Sequence, residues 1–299
     1  MATSVSPIFS GGVGRSGTTI VGRILRKHSE VFAGSPFEIK FITEAYGLID
    51  LVFGVRKFKP TQISKRGYLL SRVNAHENIK TRFSRFQRRI YDDWWIRTNR
   101  LGRESGLHRA VTKRQMDNLL AELESGLDNP KEAARNFVFG YVRNHQKWRG
   151  ERFWMDTTPA NIMYANFIYG IFPEAKFIEM RRNALDNIAS VLKEPWGPNK
   201  PDKAIRWWRD RIALADEAKA HIPGSHYLSL LLENLVLKDR ESSYLQLLSL
   251  LGIPDQLAVQ KYFEKEVTVE RAHFGRWRED FDDPESFRAL FESIQREES

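Results

Sequence analysis

The stretch Gly12-Val13-Gly14-Arg15-Ser16-Gly17-Thr18-Thr19 sets two glycines five positions apart ahead of paired threonines, the spacing of a loop that wraps a phosphate. Glycines there let successive backbone N–H groups turn toward phosphate oxygens, and a helix starting at the end of the loop adds its partial positive charge. Thr18 stands where nucleoside-triphosphate enzymes carry the lysine that spans the β- and γ-phosphates. A loop without that lysine is poorly equipped for γ-phosphoryl transfer, and Arg15 supplies a cation from inside it instead. The chemistry implied is capture of a nucleotide with one phosphate, or of a phosphate bearing a different leaving group.

A second constellation follows the apolar run Phe177-Ile178-Glu179-Met180. Arg182 and Ser190 stand eight positions apart with Asp186 halfway between them. A guanidinium fork leaving a strand can clamp a phosphate, and a serine on the next helix can donate to it. Asp186 and Ser190, four apart on a helix, share a face, with Asp186 placed to orient Arg182 or to cap the helix start. Ser16 and Ser190 have no partner pattern of a serine hydrolase. No His/Asp/Glu cluster has metal-ligand spacing, so no metal is expected.

With both motifs in this order, the chain resembles the sulfotransferases that use 3′-phosphoadenosine 5′-phosphosulfate (PAPS). Gly14-Arg15-Ser16-Gly17-Thr18-Thr19 looks like their 5′-phosphosulfate loop, and the segment carrying Arg182 and Ser190 is similar to the one that binds the cofactor's 3′-phosphate. Trp154-Met155-Asp156-Thr157-Thr158-Pro159 resembles their Asp-Lys-Thr-Pro segment with Thr157 in place of lysine, so no catalytic lysine is assigned there. Leu232-Glu233-Asn234-Leu235 is similar to Tyr-Glu-x-Leu, which implies a structural Glu233. Gly275-Arg276-Trp277 looks like the Gly-x-Trp of the C-terminal cofactor loop, with Arg271 upstream of it. The resemblance covers about residues 7–50 and 150–280. It implies cofactor contacts from Gly14, Arg15, Ser16, Gly17, Thr18, Thr19, Arg182, Ser190, Gly275, Arg276 and Trp277.

Sulfuryl transfer to an alcohol is an in-line displacement that needs a base at the acceptor oxygen and donors around the departing adenosine 3′,5′-bisphosphate. Glu38 with Lys40 two positions on, in Gly34-Ser35-Pro36-Phe37-Glu38-Ile39-Lys40, resembles the Glu-x-Arg of the branch that acts on carbohydrates and tyrosyl proteins with a glutamate base. In an extended segment the two side chains face one way, so both are expected in one cleft. The catalytic set implied is Glu38 as base, Lys40 steadying the sulfuryl group or the acceptor, and Arg15. Glu44 is a second candidate base. His108 and His145 would serve in a histidine-type enzyme but sit in no motif and read as surface residues.

The positioning elements follow from pattern. Pro7-Ile8-Phe9-Ser10-Gly11 reads as a buried strand feeding the glycine loop, and Ile20, Val21, Ile24 and Leu25 recur at helical spacing behind it. Strand and helix alternate again at 175–192 and at 225–251. That alternation predicts an α/β, P-loop-like three-layer fold with a central parallel sheet flanked by helices. Residues 51–149 read instead as a basic, aromatic-rich helical insertion or lid on a single domain spanning 1–299, since no Pro/Gly/Ser linker flanks them.

Charge is concentrated in that insertion: residues 56–114 hold 17 Lys/Arg against four acids, within a chain of net charge +9. Such a field draws anions, so a nucleic-acid or anionic-membrane binding protein with a degenerate phosphate loop is the alternative reading. A nucleotide kinase is disfavoured by Thr18 and by the absence of an acidic magnesium site. In 299 residues there is no cysteine, which excludes disulfides, thiolate metal sites and a cysteine nucleophile. No secretory leader or membrane span is evident, and a cytoplasmic enzyme is expected, with peripheral membrane contact left open. The expected partner is a hydroxyl-bearing acceptor, anionic or glycosylated, rather than a specific nucleic acid.

Overall fold

The computed structural model describes residues 5–55, 77–98, 102 and 104–297. Seven strands occur among them: β1 (Ser6–Gly11), β2 (Val31–Phe32), β3 (Arg97–Thr98), β4 (Glu104–Ser105), β5 (Phe153–Asp156), β6 (Lys176–Arg181) and β7 (Tyr227–Leu231). Five form one parallel sheet in the order β2-β5-β1-β6-β7, and β3 pairs with β4 in a short antiparallel ladder that the sequence pattern does not predict. β1 is central, with Phe9 opposite Asp156 of β5 on one side and Phe177 of β6 on the other. The chain leaves β1 toward one side of the sheet and later crosses it to build the other. The carboxyl end of β1 therefore lies at the switch in strand order, where open α/β sheets bind ligands.

Alternation along the strands divides the interior into two cores. Phe9, Trp154, Phe177 and Tyr227 face one core, while Ile8, Phe153, Met155, Ile178 and Met180 face the other. Both faces of the sheet are thereby covered, which makes the three layers. On the second face, Val21, Ile24 and Leu25 of the helix Thr18–Leu25 pack against the sheet, as their spacing predicts.

The described part of the helical insertion packs into the first core. Phe86 of helix Ile79–Arg89, Trp94, and Phe137 and Tyr141 of helix Pro130–Asn144 are buried in the same cluster as Phe9. Phe41 joins them, with ring centroids 5.5 Å from Phe137 and 5.4 Å from Tyr141. Of the adjacent tryptophans Trp94 and Trp95, and Trp207 and Trp208, the first of each is buried. The helix surfaces carry part of the positive charge as ion pairs, Arg85 with Glu77 at 2.6 Å and Arg89 with Asp93 at 3.1 Å. Residues 56–76, with the lysines and arginines they contribute to the insertion, lie outside the described residues. No helix among the described residues is long and apolar enough to cross a membrane.

If helices 79–89 and 130–144 share one core with the sheet, Phe86→Ala should lower the stability of the whole chain by about 3–5 kcal/mol. Denaturant unfolding followed by far-UV circular dichroism and by tryptophan fluorescence should then give one coincident transition, shifted to lower denaturant. Two separate transitions would show the helical segment to be an independent unit.

Candidate active site

β1 ends in Gly11, and the loop that follows is built on backbone that only glycine adopts freely. Gly12 and Gly17 have φ of 152° and 96°, and a Cβ on Gly12 would lie 2.3 Å from the Met180 carbonyl oxygen. Helix Thr18–Leu25 starts at Gly17 with no side chain capping it, so its first N–H groups face the space in front of the loop. That space is a cavity of about 300 Å³ walled by Arg15, Gly17, Thr18, Thr19, Arg182, Ser190 and Arg276, with Asp186, Lys193, Arg271, His273 and Asp280 among its other residues. Seven residues assigned from sequence to the cofactor thus meet in one place.

Arg182 follows directly on β6. Its Nη1 donates to the Arg15 carbonyl at 3.3 Å and its Nη2 to those of Ala272 and His273 at 3.3 and 2.9 Å, while its buried Nε has no partner. Burial lowers its pKa, against which the carboxylates of Asp186 and Glu233 act. Arg15 Nε donates to Ser190 Oγ at 3.1 Å and lies 3.6 Å from Glu194. Lys193 is paired with Asp280, and Arg271 with Glu266.

Asp186 does something other than cap its helix. Asn183 is the cap, its side chain accepting from the Asp186 N–H at 3.2 Å. The buried Asp186 carboxylate instead accepts from Gly275 N at 2.8 Å and Trp277 N at 3.3 Å, pinning the C-terminal loop against the cavity. Four of the residues assigned from sequence stand behind the wall. The Gly14 carbonyl accepts from Asn187, the Ser16 hydroxyl is buried without a partner, the Gly275 N–H is held by Asp186, and the Trp277 indole is buried in a cluster with Ile188 and Phe287. Leu232, in place of the tyrosine of the related motif, is buried against Gly17, and Glu233 Oε1 accepts from Asn183 N.

The second part of the site is the stretch 34–40, held to the end of β5 almost residue by residue. The Ser35 carbonyl faces His145 Nε2 at 3.1 Å, and that of Phe37 accepts from Thr157 N and Oγ1 at 3.0 and 3.1 Å. The Glu38 carbonyl accepts from Arg97 Nη2 at 2.7 Å, Ile39 N donates to Asp156 Oδ1 at 3.1 Å, and Lys40 N to Thr158 Oγ1 at 3.4 Å. Burial raises the Glu38 pKa above the ordinary 4.5, with Lys40 and Arg97 pulling it down and Glu44 pushing it up. The extended geometry expected at Lys40 is not found. Its φ is 64°, the chain turns there with Glu44 N donating to the Lys40 carbonyl, and Lys40 Nζ lies 3.9 Å from Glu44.

One further expectation changes. His145 is buried rather than at the surface; its Nδ1 accepts from Lys147 N at 3.1 Å, which makes Nε2 the donor to Ser35. His108 Nδ1 lies 2.7 Å from the Trp95 carbonyl oxygen. Sequence reasoning missed Lys193, His273 and Asp280 at the cavity and Arg97 and Asp156 behind Glu38. Lys193 had a signal, standing one helical turn beyond Ser190, whereas Arg97 reaches Glu38 across 59 positions with no local mark. Among the described residues, no group of His, Asp and Glu could hold a metal ion.

The profile of the family described as "Sulfotransferase family" matches residues 7–256. Two solved structures share the fold across 97% of this chain. One is the sulfotransferase domain of the Synechococcus PCC 7002 olefin synthase, 16% identical, 94% covered, TM-score 0.53; the other is a sulfotransferase of Mycobacterium tuberculosis H37Rv, 10% identical, 77% covered, TM-score 0.50. No curated protein matches the sequence. The chain belongs to the sulfotransferase family and is an enzyme.

If the Asp186 carboxylate pins the C-terminal loop, Asp186→Ala should speed amide exchange at Gly275 and Trp277 by about tenfold or more. Hydrogen–deuterium exchange read by mass spectrometry over 273–279 would measure it, with the β1 peptide as an internal standard that should not change.

Proposed function

We propose that the enzyme transfers a sulfuryl group from PAPS to a hydroxyl acceptor, with Glu38 as the general base. The observation that carries this reading is the convergence of Arg15, Arg182, Lys193, Arg271 and Arg276 on one cavity in front of a glycine loop and a helix N-terminus. The cavity suits the donor: Arg182 keeps a buried Nε without a partner there, and Arg15, Lys193, Arg271 and Arg276 stand around it. PAPS, when bound, supplies the sulfuryl group and a stable leaving group, adenosine 3′,5′-bisphosphate.

The residues divide the work by position. Thr18, Thr19 and the loop N–H groups bind the 5′ end, with Arg15 offsetting the charge that collects there. Arg182, Ser190 and Arg276 bind the 3′-phosphate, and Asp186 keeps Gly275 and Trp277 in place to present Arg276. Glu38, fixed by the bonds to its neighbours, takes the proton from the acceptor hydroxyl. Burial raises its basicity, and Lys40 and Arg97 act the other way, favouring the ionised form. The helical segment that supplies Arg97 forms a wall of the acceptor cleft.

Titration calorimetry with adenosine 3′,5′-bisphosphate, AMP and ATP tests the donor site. The bisphosphate should bind tightest, and Arg182→Ala should weaken it by about tenfold to a hundredfold without changing AMP affinity comparably. Equal, weak binding of all three nucleotides would sink the reading.

Glu38→Gln should lower kcat by about 10²- to 10⁴-fold with bisphosphate affinity intact. In the wild type, log kcat/KM should rise with pH as Glu38 ionises, its acid limb bending above pH 4.5 because burial raises that carboxyl. A limb that persists in Glu38→Gln would assign the base elsewhere, with Glu44 next in line.

A further inference from the structure

The acceptor side of the phosphate loop carries an arginine that the donor site does not use. Helix Pro201–Lys219 packs along the turn Pro159–Tyr164 that follows β5, and its Trp207 is buried against Val13 of the phosphate loop. One turn further on, Arg211 lays its guanidinium over the Trp207 ring, 3.6 Å from the centroid, and donates a hydrogen bond from Nη1 to the Trp207 carbonyl at 3.4 Å. Trp196 continues this surface. Its ring centroid is 6.1 Å from that of Trp207, a Cβ on Gly14 would lie 2.6 Å from its Cη2, and 54% of the residue is nevertheless exposed.

Arg15, Arg181 and Arg271 each have a carboxylate within ion-pair distance, whereas Arg211, like Arg182, has none among the described residues. The Tyr164 hydroxyl and Asp210 act on it only through space, and burial lowers its pKa to about 10, which leaves it charged at neutral pH. Arg211 therefore sits beside the phosphate loop, through Trp207, on a helix that packs along the turn following Thr158, whose Oγ1 accepts from Lys40 N. A guanidinium held flat on a buried indole, with its other edge free of protein carboxylates, is prepared to take a planar oxyanion from a ligand.

We propose that Arg211 binds a carboxylate carried by the acceptor while the exposed face of Trp196 stacks on the acceptor's ring. The substrates are then hydroxylated carboxylic acids built on a ring, such as uronic acid glycosides or aromatic hydroxy acids. The inference rests on the sulfuryl-transfer reading and narrows it to one class of alcohol.

The test uses the full-length protein saturated with adenosine 3′,5′-bisphosphate, so that acceptors bind without turning over. Two matched pairs are titrated: p-nitrophenyl β-D-glucuronide with the glucoside, and p-(hydroxymethyl)benzoate with its methyl ester. In at least one pair the acid should bind about tenfold or more tightly than its neutral partner. Arg211→Gln should abolish that difference, Arg211→Lys should keep part of it, and Trp196→Leu should weaken acid and neutral partner alike. Bisphosphate affinity, measured first in each variant, reports that the protein is folded. Loss of bisphosphate binding in the wild type would remove the sulfuryl-transfer reading and this inference together. Intact bisphosphate binding with no preference for either acid, or a preference that survives Arg211→Gln, would overturn this inference alone.

Discussion

The buried carboxylate of Asp156, at the end of β5, joins the parts of this enzyme that must stay in register. Its Oδ1 accepts from Ile39 N and Thr158 Oγ1, and its Oδ2 from Asn161 Nδ2 at 2.8 Å. The same Asn161 amide reaches the Ser10 carbonyl, and Gly12 N donates to the Pro159 carbonyl at 3.0 Å. One side chain thus connects the glutamate-bearing stretch, the turn after β5 and the start of the phosphate loop. The connection has a cost. Burial lifts the Asp156 pKa to about 6 from an ordinary 3.8, only partly offset by its three hydrogen bonds. Because the folded state holds the proton more tightly than the unfolded chain does, this group's contribution to stability falls as pH rises from about 4 through about 6. Position is bought here with stability, a common feature of polar groups buried near reacting atoms.

The cavity in front of the glycine loop is governed by a different balance, between its cations and the carboxylates that hold them. Glu194 faces Arg15, Asp280 holds Lys193 and Glu266 holds Arg271, all pairs with one exposed partner and so of small net worth. Weak pairs of this kind can be exchanged for phosphate contacts at little cost. Arg182 is held differently, by backbone carbonyls from both the loop and the C-terminal segment, which fixes its fork with no acid to displace. Asp186 completes the arrangement: its two oxygens accept from the Gly275 and Trp277 N–H groups, which orders the loop, and its charge also acts through space on Arg182.

What could be read from sequence follows the range of the interaction. The glycine loop, Arg182 and Ser190 are legible because a strand, a turn and a helix impose spacings on neighbours in the chain, and β1 and β6 begin within a residue of where pattern places them. Asp186 was legible as a functional position but not in its role, because its partners lie about 90 positions downstream. Trp277 carries a motif whose physical content is a buried indole and a held N–H. Lys40 shows the limit of period-two reasoning, since one residue with positive φ turns the chain out of the strand geometry on which that argument depends. The β3–β4 ladder, two residues on each side, is too short to leave a pattern at all.

The helical segment marks where charge counting and packing diverge. Read by composition it is a basic surface, yet its apolar residues build the first core with Phe9 and Phe41, and it reaches the site through His145 at the Ser35 carbonyl and Arg97 at the Glu38 carbonyl. Arg97 is itself partly buried, and Glu38, Glu44 and Asp156 all act to keep it charged. That guanidinium in turn favours the ionised Glu38 carboxylate, in a place where burial opposes it. One residue from the part of the chain that the family motifs do not reach thus acts on Glu38 through both its carbonyl and its carboxyl. A change at Arg97 therefore alters the position of the Glu38 stretch and the ionisation of its side chain together.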